Sequence, residues 1–408
     1  MEQPELIIHL FRTEYRKIVA VLCKRFGFDQ IETAEDIAAD TFVTAAQTWP
    51  MRGIPPNPVA WLYNVAKNKA RNHLQRETVF NEKVGPELIH TSSGLYEQDI
   101  DLSPQNINDS QLQMMFAICH PSIPAEAQIG LSLRILCGFG IDEIAAAFLS
   151  NKDTINKRLF RAKEKLRGGK VRIELPGAAE LDERLDPVLR TIYLLFNEGY
   201  YSVSQNQVLR KELCFEAIRL CYMLIDNRET NKPTVNALLA LMLFHASRFE
   251  ARTGKNRELV LYDDQDTSLW DTDLISRGSY FFHCAASGDT LSKYHLEAGI
   301  AYWNTQKTDS IEKWESVLQL YNQLLAIEYS PVAALNRTYA LSKTRGKEQA
   351  IMEAEQLTLE NYTFYFILLG DLYTGIDTEM ARKNLLKALS ITKNTPDKEA
   401  IRRKIDLL

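Results

Sequence analysis

The chain has 408 residues, 45% of them hydrophobic and 25% charged, with a formal net charge of −5. That length leaves room for two or three domains, each burying its own core, so a multi-domain soluble protein is expected. The mild net charge excludes neither nucleic acid nor protein partners, because a mean conceals local fields.

The balance is uneven along the chain. Residues 1–172 hold 21 Lys+Arg against 20 Asp+Glu, and residues 173–408 hold 27 against 33. Nine basic residues fall between Lys152 and Arg172, against only Asp153 and Glu164. No apolar run approaches the roughly 18 residues of a membrane span. The N-terminal MEQPELIIHLFRTEYRK carries acids where a secretion signal needs a basic flank. A cytoplasmic protein with no membrane partner is expected. Cysteines 23, 119, 137, 214, 221 and 284 lack paired spacing and sit among mostly apolar neighbours. They read as reduced core thiols, so no metal and no cofactor is expected.

Helical periodicity dominates and β-branched alternation is nearly absent, which predicts an all-α fold. A first helical unit spans residues 5–77, broken by the proline-rich loop MRGIPPNP, Met51 to Pro58. Within it, AEDIAADTFVTAAQTW, Ala34 to Trp49, and the Glu32 just before it set Glu32, Asp36 and Asp40 four residues apart beside Ile37, Phe42 and Trp49, a pattern that suits protein docking. Next, NPVAWLYNVAKNKARNHLQRE gives Trp61, Leu62, Val65, Ala66, Ala70 and Leu74 an apolar stripe. Asn64, Lys67, Asn68, Arg71 and Arg76 project elsewhere. Aromatic, amide and basic groups interleaved in this way suit unstacked bases, which they stack, read by the edge and hold by the backbone.

Residues 78–109 read as an acidic flexible linker. Val84 to Leu133 contains no lysine or arginine, while Glu87, Glu97, Asp99, Asp101, Asp109 and Glu126 are acidic. Residues 110–172 form a small helical domain ending in IDEIAAAFLSNKDTINKRLFRAKEKLR. Ile141, Ile144, Ala145 and Phe148 form one stripe, and Ile155, Leu159, Ala162 and Leu166 a second. The Ser150-Asn151 break between them suits a helix-turn-helix, with Asp153 or Thr154 near the second helix start. With the second stripe inward, Asn156, Lys157, Phe160, Arg161 and Lys165 line the outer faces over about 22 Å, a size that enters the DNA major groove, where arginine and lysine read guanine and asparagine reads adenine. Residues 180–408 are a long helical extension. Its last part, from PVAALNRTYALSKTRGKEQAIMEAEQL onward, reads as paired helices resembling tetratricopeptide-type repeats.

The order of these parts resembles the bacterial RNA polymerase sigma factors of the extracytoplasmic-function type, within the sigma-70 family. An acidic AEDIAADTF helix, a loop, WLYNVAKNKARN, an acidic linker and TINKRLFRAKEKLR carry the likeness over residues 8–170. PVLRTIYLLFNEGYYS, ELCFEAIRLCYMLI and LYDDQDTSLWDTDLI resemble the C-terminal extension of one branch. The resemblance implies that 5–77 is region 2 and 110–172 is region 4, with core RNA polymerase (β′ clamp helices and β flap) and promoter DNA as partners. It implies that Asp36, Asp40 and Phe42 bind core polymerase. Trp61, Tyr63, Asn64, Lys67, Asn68 and Arg71 would melt and bind the −10 element, Asn64 standing where the family often carries arginine. Asn156, Lys157, Phe160 and Arg161 would face −35 bases, with Arg158, Lys163 and Lys165 on phosphates. The extension would have an intramolecular or protein partner and regulate the factor.

Two other readings come from the same residues. DDQDTSLWD, Asp263 to Asp271, and FFHC, Phe281 to Cys284, bring acids, a histidine and a cysteine close in sequence, as an enzyme would need, without paired ligand spacing, a phosphate loop or a nucleophile elbow. The second is a helix-turn-helix regulator with a repeat sensor domain that is not a polymerase subunit, which leaves the acidic helix and the Trp61 to Arg76 surface unexplained.

Overall fold

The structure is a computed structural model that describes residues 3–84, 100–148, 150–200, 207–252, 254, 260–357, 359–392 and 395–408. Among the described residues it is all helical, with eighteen α-helices and no strand. The chain divides into two compact units, Met1–Thr230 and Asn231–Leu408.

The first unit begins with three helices, α1 (Gln3–Phe26), α2 (Ile31–Arg52) and α3 (Pro58–Val84). The loop between α2 and α3 follows from backbone chemistry. Gly53 ends α2 at φ 83°, a conformation that favours glycine. Asn57 then starts α3, its side-chain oxygen accepting from the Ala60 N–H at 3.0 Å. Leu10, Ile18, Leu22, Ile31, Ile37, Phe42, Trp49, Leu62, Ala66 and Ala70 are all buried here. The residues expected to form a flexible linker include the end of α3, to Val84, and the start of α4 (Pro104–Ile118). Glu87, Glu97 and Asp99 lie outside the described residues.

Helix α4 packs on α1 and leads to α5 (Ala125–Leu131), a five-residue π-helical turn (Ser132–Leu136), α6 (Ile141–Ala147) and α7 (Lys152–Gly168). Helices α6 and α7 are the predicted pair. The cap of α7 is Asn151, whose side chain accepts from the Thr154 N–H at 2.8 Å, so the helix begins ahead of Asp153 and Thr154. Ile155, Leu159, Ala162 and Leu166 are buried, as their spacing requires. A Cβ added to Gly130 in α5 would stand 2.9 Å from a Leu159 methyl, so this glycine sets how closely α5 and α7 approach.

Two further helices, α8 (Leu181–Tyr200) and α9 (Gln207–Asp226), belong to this unit rather than to the extension in which the sequence placed them. They pack on each other, and α8 also lies against α4 and α5. Thr191 donates to the Gln128 side-chain oxygen at 3.0 Å, and Arg184 donates to the Phe116 carbonyl at 2.9 Å.

The second unit starts with α10 (Pro233–Ala246), apolar on nearly every side and accordingly buried, with α11 (Thr272–Ala285) and α12 (Lys293–Trp303) against it. From α12 onward each helix packs on its sequence neighbour: α13 (Ile311–Ile327), α14 (Pro331–Arg345), α15 (Lys347–Gln356), α16 (Thr363–Tyr373), α17 (Thr378–Ile391) and α18 (Thr395–Asp406). The segment between α10 and α11 is strapped to this array. Lys313, 2% exposed, donates to the Tyr262 hydroxyl at 2.6 Å and the Gln306 carbonyl at 2.9 Å. Tyr339 donates to Asp263 at 2.6 Å, and Arg248 donates to Gln265 at 3.0 and 2.8 Å.

Candidate nucleic-acid interface

Two cationic helices were predicted to meet DNA, and the structure treats their side chains differently. On α7, Asn156, Lys157, Phe160, Arg161 and Lys165 are exposed, Phe160 by 62%, while the apolar stripe faces inward. This face carries no carboxylate of its own at those positions. Its amide, cations and ring can donate to guanine, pair with adenine or rest on a thymine methyl. Arg158 and Lys163, expected on phosphates, are each held by a carboxylate here. Arg158 pairs with Glu126 at 3.0 Å and its guanidinium lies 5.6 Å from the Phe148 ring centre. Lys163 pairs with Glu35 at 2.5 Å, with both side chains about one-eighth exposed.

On α3, Asn64, Asn68 and Arg71 are exposed and Lys67 is half-buried. The aromatic residues turn the other way. Trp61 is half-buried, its ring edge-to-face with the buried Trp49 at 5.5 Å. Tyr63 donates to Glu14 at 2.5 Å, and Lys17 pairs with the same carboxylate at 2.9 Å. Burial, with that carboxylate as acceptor, pushes the Tyr63 hydroxyl well above its ordinary range. Its hydroxyl is thus committed inside the bundle, and Tyr63 anchors α3 instead of offering a free phenol to DNA. Beside it lies an open cavity of about 450 Å³ lined by Ala60, Tyr63, Asn64, Lys67, Ile100, Asp101 and Leu102.

The predicted docking helix α2 shows a similar split. Asp36 and Asp40 are exposed, Asp40 with Lys69 of α3 at 2.5 Å. Phe42 is only 4% exposed and packs edge-to-face on Phe11 at 5.1 Å. This corrects its assignment as a docking side chain: the ring supports α2 from below.

Sequence reasoning missed the carboxylates that meet these cations. Glu35 also pairs with Arg134 at 3.3 Å, and Glu32 with Arg167 at 2.7 Å. On the far side of α1, Arg12 pairs with Glu212 at 3.0 Å and Arg16 with both oxygens of Glu216 at 2.7 and 2.8 Å. The signal available was spacing: both pairs are four residues apart in the sequence, in the same order.

The acids and thiols behind the enzyme reading have structural uses. Asp271 caps α11, accepting from the Leu274 N–H at 2.9 Å, Asp266 accepts from Ser268, and Asp263 holds Tyr339 and Lys343. Five of the six cysteines are buried, Cys284 is half-buried, and none of the six is in a disulfide. Among the described residues no group of histidine, cysteine and acidic side chains could hold a metal, and no helix is long and apolar enough to cross a membrane.

Residues 10–79, which fall on α1 to α3, match Sigma-70 region 2, and residues 184–286 match a family of unknown function, DUF6596. The second match crosses the boundary between the two compact units. An uncharacterised protein of Rhizobium meliloti is 31% identical over 390 residues, 93% of this chain and 91% of that protein. An ECF RNA polymerase sigma-E factor of Haemophilus influenzae is 25% identical over 160 residues, 38% of this chain and 83% of that one. Its Escherichia coli counterpart is 30% identical over 109 residues, 26% of this chain and 56% of that one. No solved structure matches. The chain therefore belongs to one family with the Rhizobium meliloti protein, and its residues 10–79 are similar to Sigma-70 region 2.

Proposed function

We propose that this chain is a sigma factor of the extracytoplasmic-function type that directs core RNA polymerase to promoters through two DNA-facing helices. The observation that carries the reading is the exposed α7 face of Asn156, Lys157, Phe160, Arg161 and Lys165, in the same compact unit as a region 2 match. In this reading α7 enters the major groove of the −35 element. Asn156, Lys157, Phe160 and Arg161 face bases, and Lys165 holds a phosphate.

Helix α3 takes the unpaired −10 strand. Asn68 and Asn64 read a base that has left the stack, at a cost of a few kcal/mol in unstacking, while Lys67 and Arg71 hold the backbone and Trp61 supports melting. Exposed Asp36 and Asp40 on α2 dock the β′ clamp helices, and region 4 meets the β flap. The helical second unit, which resembles tetratricopeptide repeats in packing helix on sequential helix, regulates the factor through a protein or intramolecular partner.

The test is transcription in vitro from a promoter library with core polymerase and the full chain. Initiation at a defined −35 and −10 pair is the expected result. A chain that neither joins core polymerase nor directs initiation refutes the proposal. Tight core association also separates it from a helix-turn-helix regulator acting alone.

A further inference from the structure

The turn that ends α7 and the start of α8 enclose a cavity that neither DNA-facing helix uses. Its volume is about 250 Å³, and three stretches of chain supply its charged lining. His120 follows α4, Lys170 and Arg172 follow α7, and Arg184 lies near the start of α8, with Glu174 and Glu180 as the acids.

Local chemistry places each cation. Helix α7 closes with the Lys170 N–H donating to the Arg167 carbonyl at 2.9 Å and the Val171 N–H to the Leu166 carbonyl at 3.0 Å. Lys170 takes φ 50°, so the turn carries a lysine where helices commonly end on glycine. Gln128 donates to the His120 carbonyl at 3.0 Å and is itself held by Thr191 of α8. The Arg184 guanidinium donates to the Phe116 carbonyl at 2.9 Å.

His120 and Arg184 each keep a further donor. Nδ1 of His120 accepts from the Ser122 N–H at 3.2 Å, so the neutral ring carries its proton on Nε2. Burial, aided by the Arg184 charge, lowers the His120 pKa and keeps the ring neutral at neutral pH. Nε of Arg184 is buried with no acceptor among the described residues. A buried N–H left unpaired is costly, and native proteins pair nearly all such groups. Of the two acids, Glu174 is taken up by Arg172 at 3.8 Å. Three permanent cations thus face two carboxylates, which leaves the cavity with an excess of positive charge.

We propose that this cavity binds a small phosphorylated molecule, whose oxygens accept from His120 and Arg184 while Lys170 and Arg172 neutralise its charge. A phosphate offers several acceptors at once, which suits donors arriving from three stretches of chain, and a guanidinium matches it through its planar fork. The volume lies below the roughly 300 to 1,000 Å³ of a drug-sized site, so the occupant is the free ion or a short ester. The concave lining takes a free or terminal phosphate, whereas a duplex backbone phosphate carries a sugar on both sides. None of these groups lies on the exposed α7 face proposed for bases, so the inference stands apart from the sigma reading.

The test uses the full chain with isotope-labelled histidine, in which the resonance missing from His120→Gln is that of His120. Titration with inorganic phosphate or glycerol phosphate at constant ionic strength is expected to shift this resonance saturably. The tighter of the two identifies the free ion or the ester as the source. Lys170→Gln, at an exposed position, should weaken binding about tenfold, the scale of one hydrogen bond to a charged group. Glu174→Gln, which frees Arg172, should tighten it about threefold, the scale of an exposed charge pair. Arg184→Gln should abolish the shift. Because Arg184 also holds the Phe116 carbonyl, circular dichroism checks that variant, and Lys170→Gln decides alone should it fail to fold. No saturable shift, an equal shift with chloride, an unchanged affinity in Lys170→Gln, or an equal shift with a DNA duplex overturns the proposal.

Discussion

Helices α3 and α7 carry similar inventories of amides, cations and aromatic rings, yet they spend the rings in opposite ways. On α3, Trp61 leans on Trp49 and Tyr63 ties its hydroxyl to Glu14, so aromatic residues fix the helix while Asn64, Asn68 and Arg71 face out. On α7, aliphatic side chains fix the helix and Phe160 stands 62% exposed beside Arg161. An aromatic residue near a cationic patch is therefore anchor or reader according to what the next helix offers it. On α3 a buried indole and a carboxylate lie within reach. On α7 the Phe160 ring is left largely in water, and the proposed function sets it against a base or a thymine methyl.

The largest effect should come from removing an anchor. Trp49→Ala takes a 2% exposed ring from beneath Trp61 and should cost about 3 to 5 kcal/mol by the cavity it leaves, measured by urea denaturation. Phe160→Ala should change stability by less than about 0.5 kcal/mol, because a ring already in water has little packing to lose, while reducing −35-dependent initiation. Equal destabilisation by the two variants would break the contrast between the helices.

Within α7 the comparison sharpens to reader against positioner. Arg161→Ala should weaken initiation by about 1 to 3 kcal/mol and relax preference at one −35 position, whereas Lys165→Ala should weaken all promoters alike and reduce the salt slope by about one. Both need core enzyme in the assay. A smaller loss is expected from Tyr63→Phe, which keeps the ring and removes the bond to the Glu14 carboxylate. About 1.5 kcal/mol of stability should go, with the −10 preference unaltered, while Asn68→Ala should alter the preference and spare stability. A changed −10 preference in Tyr63→Phe would return the phenol to the DNA.

The helices and their buried faces were legible because the period is local, whereas the start of α7 fell at Asn151, ahead of the expected Asp153 or Thr154. Ile155, Leu159, Ala162 and Leu166 recur at helical spacing and are buried. Phe42 was misassigned because a core phenylalanine and a docking phenylalanine occupy the same pattern; only Phe11 across the bundle tells them apart. The pairing of Arg158 and Lys163 was not legible for a similar reason, since their carboxylates lie at Glu126 and Glu35, far off in the chain. The expected boundary between residues 172 and 180 set α8 and α9 apart from the first unit. Packing instead gives α8 and α9 to the first unit, through long-range bonds such as Thr191 to Gln128 that no local pattern encodes.

The smallest effect concerns the ion pairs that join α9 to α1, and its sign follows from one carboxyl. Burial alone would raise the Glu216 carboxyl, but the Arg219 and Arg16 guanidiniums outweigh it and hold the group below its ordinary 4.5. A carboxyl depressed by folding contributes stability at pH above its unfolded value, and that contribution fades as pH falls through the folded one. For this partly exposed pair the contribution is about 1 kcal/mol. Wild type should therefore exceed Glu216→Gln in stability by that amount near neutrality, and the difference should shrink once pH drops below 4.5. Because the substituted glutamine cannot titrate, subtracting the two denaturation series cancels the other carboxylates of the chain. A gap that stays constant into acid would mean that the α1 to α9 contact is held by packing rather than by charge.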